Sequence, residues 1–272
     1  MLRDITIGQH FPGNSVVHEM DPRLKILTTI AYIVVLFIGT NPIGLVVSTA
    51  FVFLMYAIAR IPVKVILKSL KPILPIIIFT AVLNLFFVAG TPIFSWWIFT
   101  VTWEGVYYAV IMMVRIICLI SGTSLLTYTT SPIVLTDAIE RLLSPFAKLR
   151  LPVHELAMMM TIALRFIPTL IEETEKIMNA QKARGANLDS GKLTQRIKAL
   201  VPVLIPLFIS AFRRADELAM AMECRCYHGG EGRTRLRQLR FHKNDVWAAL
   251  FCVLIFTVIG ASGWLCGLLG IG

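Results

Sequence analysis

Two arginines stand at matched positions in this sequence. Arg184 ends one long helical pattern and Arg225 ends another, at an offset of 41 residues (225 − 184). A guanidinium is always charged and offers a rigid fork of donors that suits a carboxylate or a phosphate. Each arginine could simply cap its own helix, but two at equivalent ends of a repeated pattern favour docking. We therefore predict two cationic tips that bind an acidic groove on another protein.

The elements that must position these tips are two amphipathic helices, at about 152–186 and 192–228. At the offset of 41, apolar residues three and four positions apart coincide in both patterns, which is typical of one continuous stripe on a helix. We predict that the helices cross and that charges pair there, although ordinary solvated faces are the alternative. The predicted crossing residues are Ile167, Ile171, Glu172, Glu173, Phe208, Phe212, Arg213 and Arg214.

The residues around each arginine form the predicted docking triplets, Ala183-Arg184-Gly185 and Cys224-Arg225-Cys226. A glycine just past a helix end allows the chain to turn sharply and leaves the tip free. Cys224 and Cys226 with His228 resemble a metal-binding fragment, but structural zinc needs four ligands at wider spacing, so we predict no metal site. Lone His154 is interpreted as a packed or interfacial residue. The run Met158–Met160 suits either core packing or an adaptable binding surface.

The composition places these helices in a membrane protein. Of the 272 residues, 57% are hydrophobic and only 15% are charged, and the mean hydropathy is +0.76. A soluble domain usually carries about 25% charged residues. Lipid must cover part of the apolar surface, so the sequence predicts an all-α integral membrane protein. Five cysteines without framework spacing indicate free thiols.

The uncharged runs predict where the spans lie. Residues 26–59 carry no charge over 34 residues, about 51 Å of helix and too long for one crossing of about 30 Å. Gly39-Thr40-Asn41-Pro42 breaks the run into two spans, and Asp21 before Pro22 is expected to cap the first and give it a positive flank. A third span fits within 72–103, where Trp96, Trp97 and Trp103 suggest an interfacial belt on a small hairpin.

A fourth span is predicted from about Glu104 to Tyr128, and a fifth from Asp245 to Leu269. Arg115 lies inside the fourth span, where we expect a structural pairing with a polar neighbour. All clusters of lysine and arginine fall on one side of these spans, so we expect the N-terminus in the cytoplasm and, after five crossings, the C-terminus outside. The two long helices are interrupted by charges and prolines and are expected to lie along the inner face.

This organisation gives three predicted regions: a four-span membrane domain at 1–130, a coupling domain at 131–230 and a basic linker with the last span at 231–272. A short helix from Ser131-Pro132 to about Leu149 opens the coupling domain. Three cytoplasmic-side helices thus accompany about five transmembrane helices.

Several function classes are disfavoured by what the sequence lacks. The net charge of +10 is not accompanied by a nucleic-acid-binding motif, so nucleic-acid binding is disfavoured. No paired acids, histidine cluster or activated nucleophile lies in the spans, so a membrane-embedded enzyme has no support. An independent secondary transporter would show inverted repeats and polar midspan sites, which are not visible. The membrane-embedded enzyme and the independent secondary transporter remain as alternatives.

A family resemblance rests on several of these motifs together. Lys182-Ala183-Arg184-Gly185 and Met222-Glu223-Cys224-Arg225-Cys226 resemble the paired Ala-Arg-Gly signatures of the transmembrane T component of energy-coupling factor (ECF) transporters. Asp21-Pro22-Arg23-Leu24-Lys25 and the run from Ser131 to Phe146 are also similar to that family. The second triplet departs from the pattern because cysteines flank its arginine.

The resemblance implies a non-ATPase coupling subunit of an ABC-type vitamin or transition-metal importer in the bacterial plasma membrane. Two cytoplasmic ATPases would bind ATP and magnesium, a separate membrane S component would bind the substrate, and this chain would have no cofactor of its own. Arg184 and Arg225 match the arginines that dock into the ATPases. The sequence has no Gly-Lys-Ser/Thr phosphate loop, so we expect no ATP hydrolysis by this chain.

Overall fold

A computed structural model describes residues 11–39, 41–96, 99–149, 152–186, 193–229, 241 and 243–269. Within these ranges the chain forms helices and one two-stranded antiparallel hairpin. It divides into two compact units. The membrane unit comprises Gly8–Leu135 and Leu239–Gly272, and the docking unit includes Thr136–Gln238.

The membrane unit is built from apolar helices whose ends follow the predicted breaks. Asp21 caps α2, its side chain accepting a hydrogen bond from the backbone N–H of Arg23 at 2.9 Å, and a proline follows it at the first helical position. The hairpin pairs β1 with β2, as predicted. The helices are α1 (Val16–Glu19), α2 (Pro22–Ile38), α3 (Pro42–Ala59), α4 (Val63–Leu70), α5 (Leu74–Phe87), α6 (Trp103–Thr129) and α10 (Lys243–Leu269), and the strands are β1 (Pro92–Trp96) and β2 (Phe99–Thr102). Trp97 lies outside the described residues.

Five helical stretches in the described part of the chain are long and apolar enough to cross a membrane: Pro42–Ala59, Val63–Phe87, Trp103–Thr129, Val153–Ala183 and Asp245–Ser262. The number agrees with the prediction, but the set differs. Helix α2, predicted as the first span, has 17 residues, about 26 Å and at the short end of the lengths that span. The stretch Val153–Ala183 was instead predicted to lie along the surface.

The core of the membrane unit lies between α2, α3, α6 and α10. Leu36 and Ile259 are almost fully buried, and three aromatic rings fill the space beside them. The ring of Phe51 lies 5.8 Å from that of Tyr32 and 5.6 Å from that of Phe256. Aromatic pairs at these distances add about 0.5–1.5 kcal/mol each beyond burial. The bundle is therefore held by side chains from its first and last long helices together.

Lys25 lies in a buried polar knot at the start of α2, at a position that the sequence predicts as part of a positive flank. Its Nζ donates hydrogen bonds to the carbonyl of His18 at 2.9 Å, the carbonyl of Thr129 at 3.1 Å and the hydroxyl of Thr130 at 3.2 Å. The backbone N–H of Asp21 donates to Oδ1 of Asp245 at 3.0 Å. Lys25 lies at the predicted flank of α2, but position along the chain does not reveal that its side chain is buried.

Arg115 has the structural role that was predicted for it. Its guanidinium donates a hydrogen bond of 3.2 Å to the carbonyl of Gly39, at the end of α2. The last carbonyls of a helix have no partner within the helix, and they form its partially negative end. Arg115 therefore ties α6 to the α2–α3 turn.

The docking unit contains α7 (Pro132–Leu143), whose first residues belong to the membrane unit, a 3-10 helix (Ser144–Leu149), α8 (Val153–Ala183) and α9 (Leu193–Glu223). Helices α8 and α9 have 31 residues each, about 46 Å at 1.5 Å per residue. Both continue through internal prolines, Pro168 in α8 and Pro202 and Pro206 in α9, in agreement with the predicted ranges 152–186 and 192–228.

Candidate functional site

Helices α8 and α9 pack against each other in opposite directions. Gln181, near the end of α8, donates a hydrogen bond of 3.3 Å to the carbonyl of Pro202, near the start of α9. At the other end, Ile162 of α8 and Met222 of α9 line the same cleft. As positions rise along one helix they fall along the other, so the pair is antiparallel over most of its length.

A charged cluster holds the pair near its middle. The hydroxyl of Ser210 donates a hydrogen bond of 2.5 Å to Oε1 of Glu173, and Arg214 pairs with Oε2 of the same carboxylate. The structure thus brings together two of the four charges predicted at the crossing. Glu172 and Arg213 are exposed. Ser210 was not predicted, since a serine in an apolar run gives no sign of its partner.

The apolar contact between the helices uses a different stripe from the one predicted. Phe208 and Phe212 leave 60% and 69% of their surface exposed, Ile167 is exposed and Ile171 is half-buried. The repeat selects equivalent faces of the two helices, and this does not identify the faces that meet in an antiparallel pair. The cleft between them, of about 270 Å³, is lined by Ile162, Phe166, Leu170, Ala211, Arg214, Ala215, Leu218, Ala219 and Met222.

An apolar face of α9 is therefore left without a partner in the described part of the chain. Its members recur at three- and four-residue steps and are 45–69% exposed. Large contiguous apolar surfaces of this kind mark contact with a membrane or with another protein. The face consists of Ile197, Val201, Leu204, Ile205, Phe208, Ile209 and Phe212.

The end of α8 presents Arg184 on a Schellman turn. The N–H of Gly185 donates to the carbonyl of Lys182, and the N–H of Ala186 donates to the carbonyl of Gln181, both at 3.0 Å. Gly185 has φ +89°, in the left-handed region that glycine enters without strain. Arg184 is exposed at the C-cap, directly after the last helical residue and beside the partially negative helix end.

The end of α9 repeats this geometry with a cysteine in place of the glycine. The N–H of Cys226 donates to the carbonyl of Glu223 at 2.8 Å, and the N–H of Tyr227 donates to the carbonyl of Met222 at 3.1 Å. Cys226 has φ +56°, a conformation that costs a residue with a side chain about 1–2 kcal/mol. Arg225 thus occupies the same exposed position as Arg184. The matched triplets form equivalent turns despite their different sequences.

The antiparallel packing places the two tips at opposite ends of the pair. Gln181 lies level with Pro202 and Ile162 lies level with Met222. Arg184 is therefore level with about position 200, some 25 residues before Arg225, which corresponds to roughly 38 Å along the axis. Two separate acidic sites, rather than one, could receive these tips.

The start of α8 carries a further contact that the sequence did not reveal. Nδ1 of His154 lies 3.0 Å from Oε1 of Glu140 on α7. The pair joins the short helix of the docking unit to the first long one, in agreement with the expectation of a packed histidine.

In the described ranges no group of three histidine, cysteine, aspartate or glutamate side chains could hold a metal ion.

Comparison with known proteins gives consistent matches over nearly the whole chain. The profile of the family described as "Cobalt transport protein" (CbiQ) matches residues 13–236. The chain is 54% identical to the energy-coupling factor transporter transmembrane protein EcfT of Ruminiclostridium cellulolyticum over 257 residues, which covers 94% of this chain and 96% of the relative. It is 54% identical to that of Clostridium kluyveri over 261 residues (95% and 96%), and 44% identical to that of Listeria innocua over 268 residues (97% and 99%).

Proposed function

Because this chain belongs to the CbiQ/EcfT family of energy-coupling factor transporter transmembrane proteins, we propose that it is the subunit that couples ATPase motion to transport. Two cytoplasmic ATPases would bind its arginine tips, and a membrane S component would carry the vitamin or transition-metal substrate. The observation that supports this proposal is the matched pair of arginines. Each lies on an equivalent turn at the C-terminal end of its helix, and the antiparallel packing puts these turns at opposite ends of the α8–α9 pair.

Each tip is suited to an acidic groove on an ATPase. Arg184 and Arg225 are exposed, and the side chain of neither forms a hydrogen bond or ion pair with another of the described residues. The Schellman turns end the helices sharply and leave each arginine exposed at the turn. A separation of roughly 38 Å along the pair supports contact of one tip with each of two partners. ATP and magnesium belong to those partners, and no nucleic acid is required.

The apolar face of α9 is suited to the S component. Its exposed side chains would be covered by an apolar partner at the membrane surface, since water is a poor solvent for them. On α8, Met159 and Met160 are also exposed, and methionine adapts to surfaces of different shape. A subunit that carries no substrate itself can act through such a surface.

The Glu173 cluster would make the two helices move together. ATP binding draws the ATPases towards each other and displaces the docked tips. Because Glu173 contacts both Ser210 and Arg214, a displacement of one helix is passed to the other near the middle of the pair. The apolar face then shifts under the S component, which reorients and releases its substrate inwards.

The docking unit would lie on the cytoplasmic side, with the N-terminus also in the cytoplasm. The distribution of lysine and arginine supports this orientation. Helix α8 is apolar enough to span, but its partner α9 places Arg213, Asp216 and Glu217 on exposed positions. An antiparallel pair of this kind is better accommodated along the inner surface.

Charge reversal of the tips tests the docking role. Arg184→Glu and Arg225→Glu should each weaken co-purification with one ATPase, and the double variant should lose both while still inserting into the membrane. Arg213→Glu is the matched control, because Arg213 is exposed on α9 away from either tip. Unchanged co-purification of the double variant would refute the docking role.

A further inference from the structure

Helix α4 is an amphipathic segment that packs one face against the bundle. Val65 and Ile66 are half-buried against the core of the membrane unit. The hydroxyl of Tyr128, near the end of α6, donates a hydrogen bond of 3.5 Å to the carbonyl of Val65. The chain enters α4 from α3, which is apolar enough to span, and α4 opens the next such stretch, Val63–Phe87, whose second part is α5. Helix α4 therefore lies where one apolar stretch ends and the next begins.

The opposite face of α4 has an apolar edge and a basic edge. Val63 and Leu67, four residues apart, are 63% and 61% exposed. Lys64, Lys68 and Lys71 follow at steps of four and three residues and are also exposed. Such spacing places the lysines in one row, adjacent to the apolar pair. A helix with this division lies in the plane of the membrane interface, with its apolar edge among acyl chains.

The basic edge has no acidic partner nearby in the chain. The sequence contains no aspartate or glutamate between Asp21 and Glu104. Neither Arg60 nor the three lysines form an ion pair with any of the described residues. The four cations are therefore available to an anion from outside the chain.

Arg60 adds a fourth cation at the turn that leads into α4. Its backbone adopts φ +54°, the left-handed conformation that glycine enters more easily. The N–H of Arg60 donates to the carbonyl of Ala57 at 3.1 Å, and the N–H of Ile61 donates to that of Tyr56 at 3.3 Å, which forms a Schellman turn. Glycine would adopt this backbone conformation more easily, but the arginine found here adds a positive charge beside the row of lysines.

We propose that Arg60, Lys64, Lys68 and Lys71 form a binding site for the phosphate of anionic phospholipid headgroups. The unpaired cations supply the charge complementarity, and Val63 with Leu67 supplies contact with the acyl chains of the same lipids. The site would hold the α3–α4–α5 segment at the cytoplasmic surface independently of the docking unit. Its ligand is a lipid of the surrounding leaflet rather than a transported substrate.

The test measures which lipid lies beside α4 in the full-length chain. A fluorophore is attached at Val63→Cys after Cys224, Cys226 and Cys266 are replaced by serine, and the protein is placed in vesicles of phosphatidylcholine with a small fraction of brominated lipid. Quenching by brominated phosphatidylglycerol should correspond to a local concentration of that lipid at least about fivefold higher than that of brominated phosphatidylcholine. One cation near an anionic surface contributes a factor of about this size. High salt should reduce this preference.

Two triple variants separate charge from folding. Replacement of Lys64, Lys68 and Lys71 by glutamine should bring the two lipids to nearly equal quenching, whereas replacement of all three by arginine should keep the preference. Equal quenching by both lipids in the parent protein, or an unchanged preference in the glutamine variant, would overturn the proposal. Loss of the preference on assembly with the ATPases and S component would also overturn it, because a protein would then cover α4.

Discussion

Cys226→Gly should stabilise the end of α9, whereas Gly185→Ala should destabilise the end of α8. Both positions occupy the left-handed turn that follows a matched arginine, Arg225 or Arg184, with φ +56° at Cys226 and +89° at Gly185. No atom lies within 4 Å of a Cβ built on Gly185. The cost of a side chain there is therefore one of backbone conformation alone, and the two substitutions should act in opposite directions.

The magnitude follows from the left-handed conformation. A residue with a Cβ is disfavoured there by about 1–2 kcal/mol, and the greater freedom of glycine in the unfolded chain offsets about 0.5–1 kcal/mol of this. The net effect at each helix end is about 1 kcal/mol, a factor of about five in the equilibrium between the closed and frayed turn.

Amide hydrogen exchange at the two helix ends measures this equilibrium. In Cys226→Gly the amides at positions 226 and 227 should exchange about fivefold more slowly, since they donate the two hydrogen bonds of the turn. In Gly185→Ala the amides at positions 185 and 186 should exchange faster by a similar factor. Cys226→Ala removes the thiol but keeps the strained backbone, so it should change little. Slower exchange in Cys226→Ala would show that the thiol, and not the backbone angle, sets the stability of the turn.

Three further substitutions address the contacts within each unit. Glu173→Arg and Arg214→Glu should each reduce ATP-driven uptake, and the double variant should recover part of it, because an exchanged pair restores an interaction of about 0.2–1 kcal/mol; equal loss in single and double variants would exclude a role for this pair. Lys25→Met should lower the melting temperature of the detergent-solubilised protein, since removal of one partner from a buried charged cluster costs about 3–5 kcal/mol, whereas an unchanged melting temperature would show that the knot contributes no stability.

Much of the fold follows from patterns that are local in the sequence. Asp21 before a proline identifies the start of α2, and the break at Gly39 separates the first two long apolar helices. The alternation of β-forming residues after α5 indicates the hairpin. These features depend on neighbouring residues, so backbone sterics and capping suffice to locate them.

The features that the sequence did not reveal depend on contacts between distant segments. The repeat that aligns Arg184 with Arg225 is compatible with parallel or antiparallel packing, and only the contacts towards the two ends, Gln181 with Pro202 and Ile162 beside Met222, distinguish the two. Lys25 resembles any membrane-flanking lysine until its acceptors on α6 are known. Cys226 gives no sequence signal for its left-handed turn, because the residue usual at that position is glycine.

The knot at Lys25 has a consequence for biosynthesis. Asp21 and Asp245, whose hydrogen bond closes the cluster, are separated by 224 positions. The ribosome therefore adds these 224 positions after Asp21 before the first long helix gains its partner on α10. A chain truncated before Asp245 would leave the N-terminal charges beside an incomplete bundle, so such fragments should be substrates for membrane proteolysis. The last helix thus completes the assembly of the first.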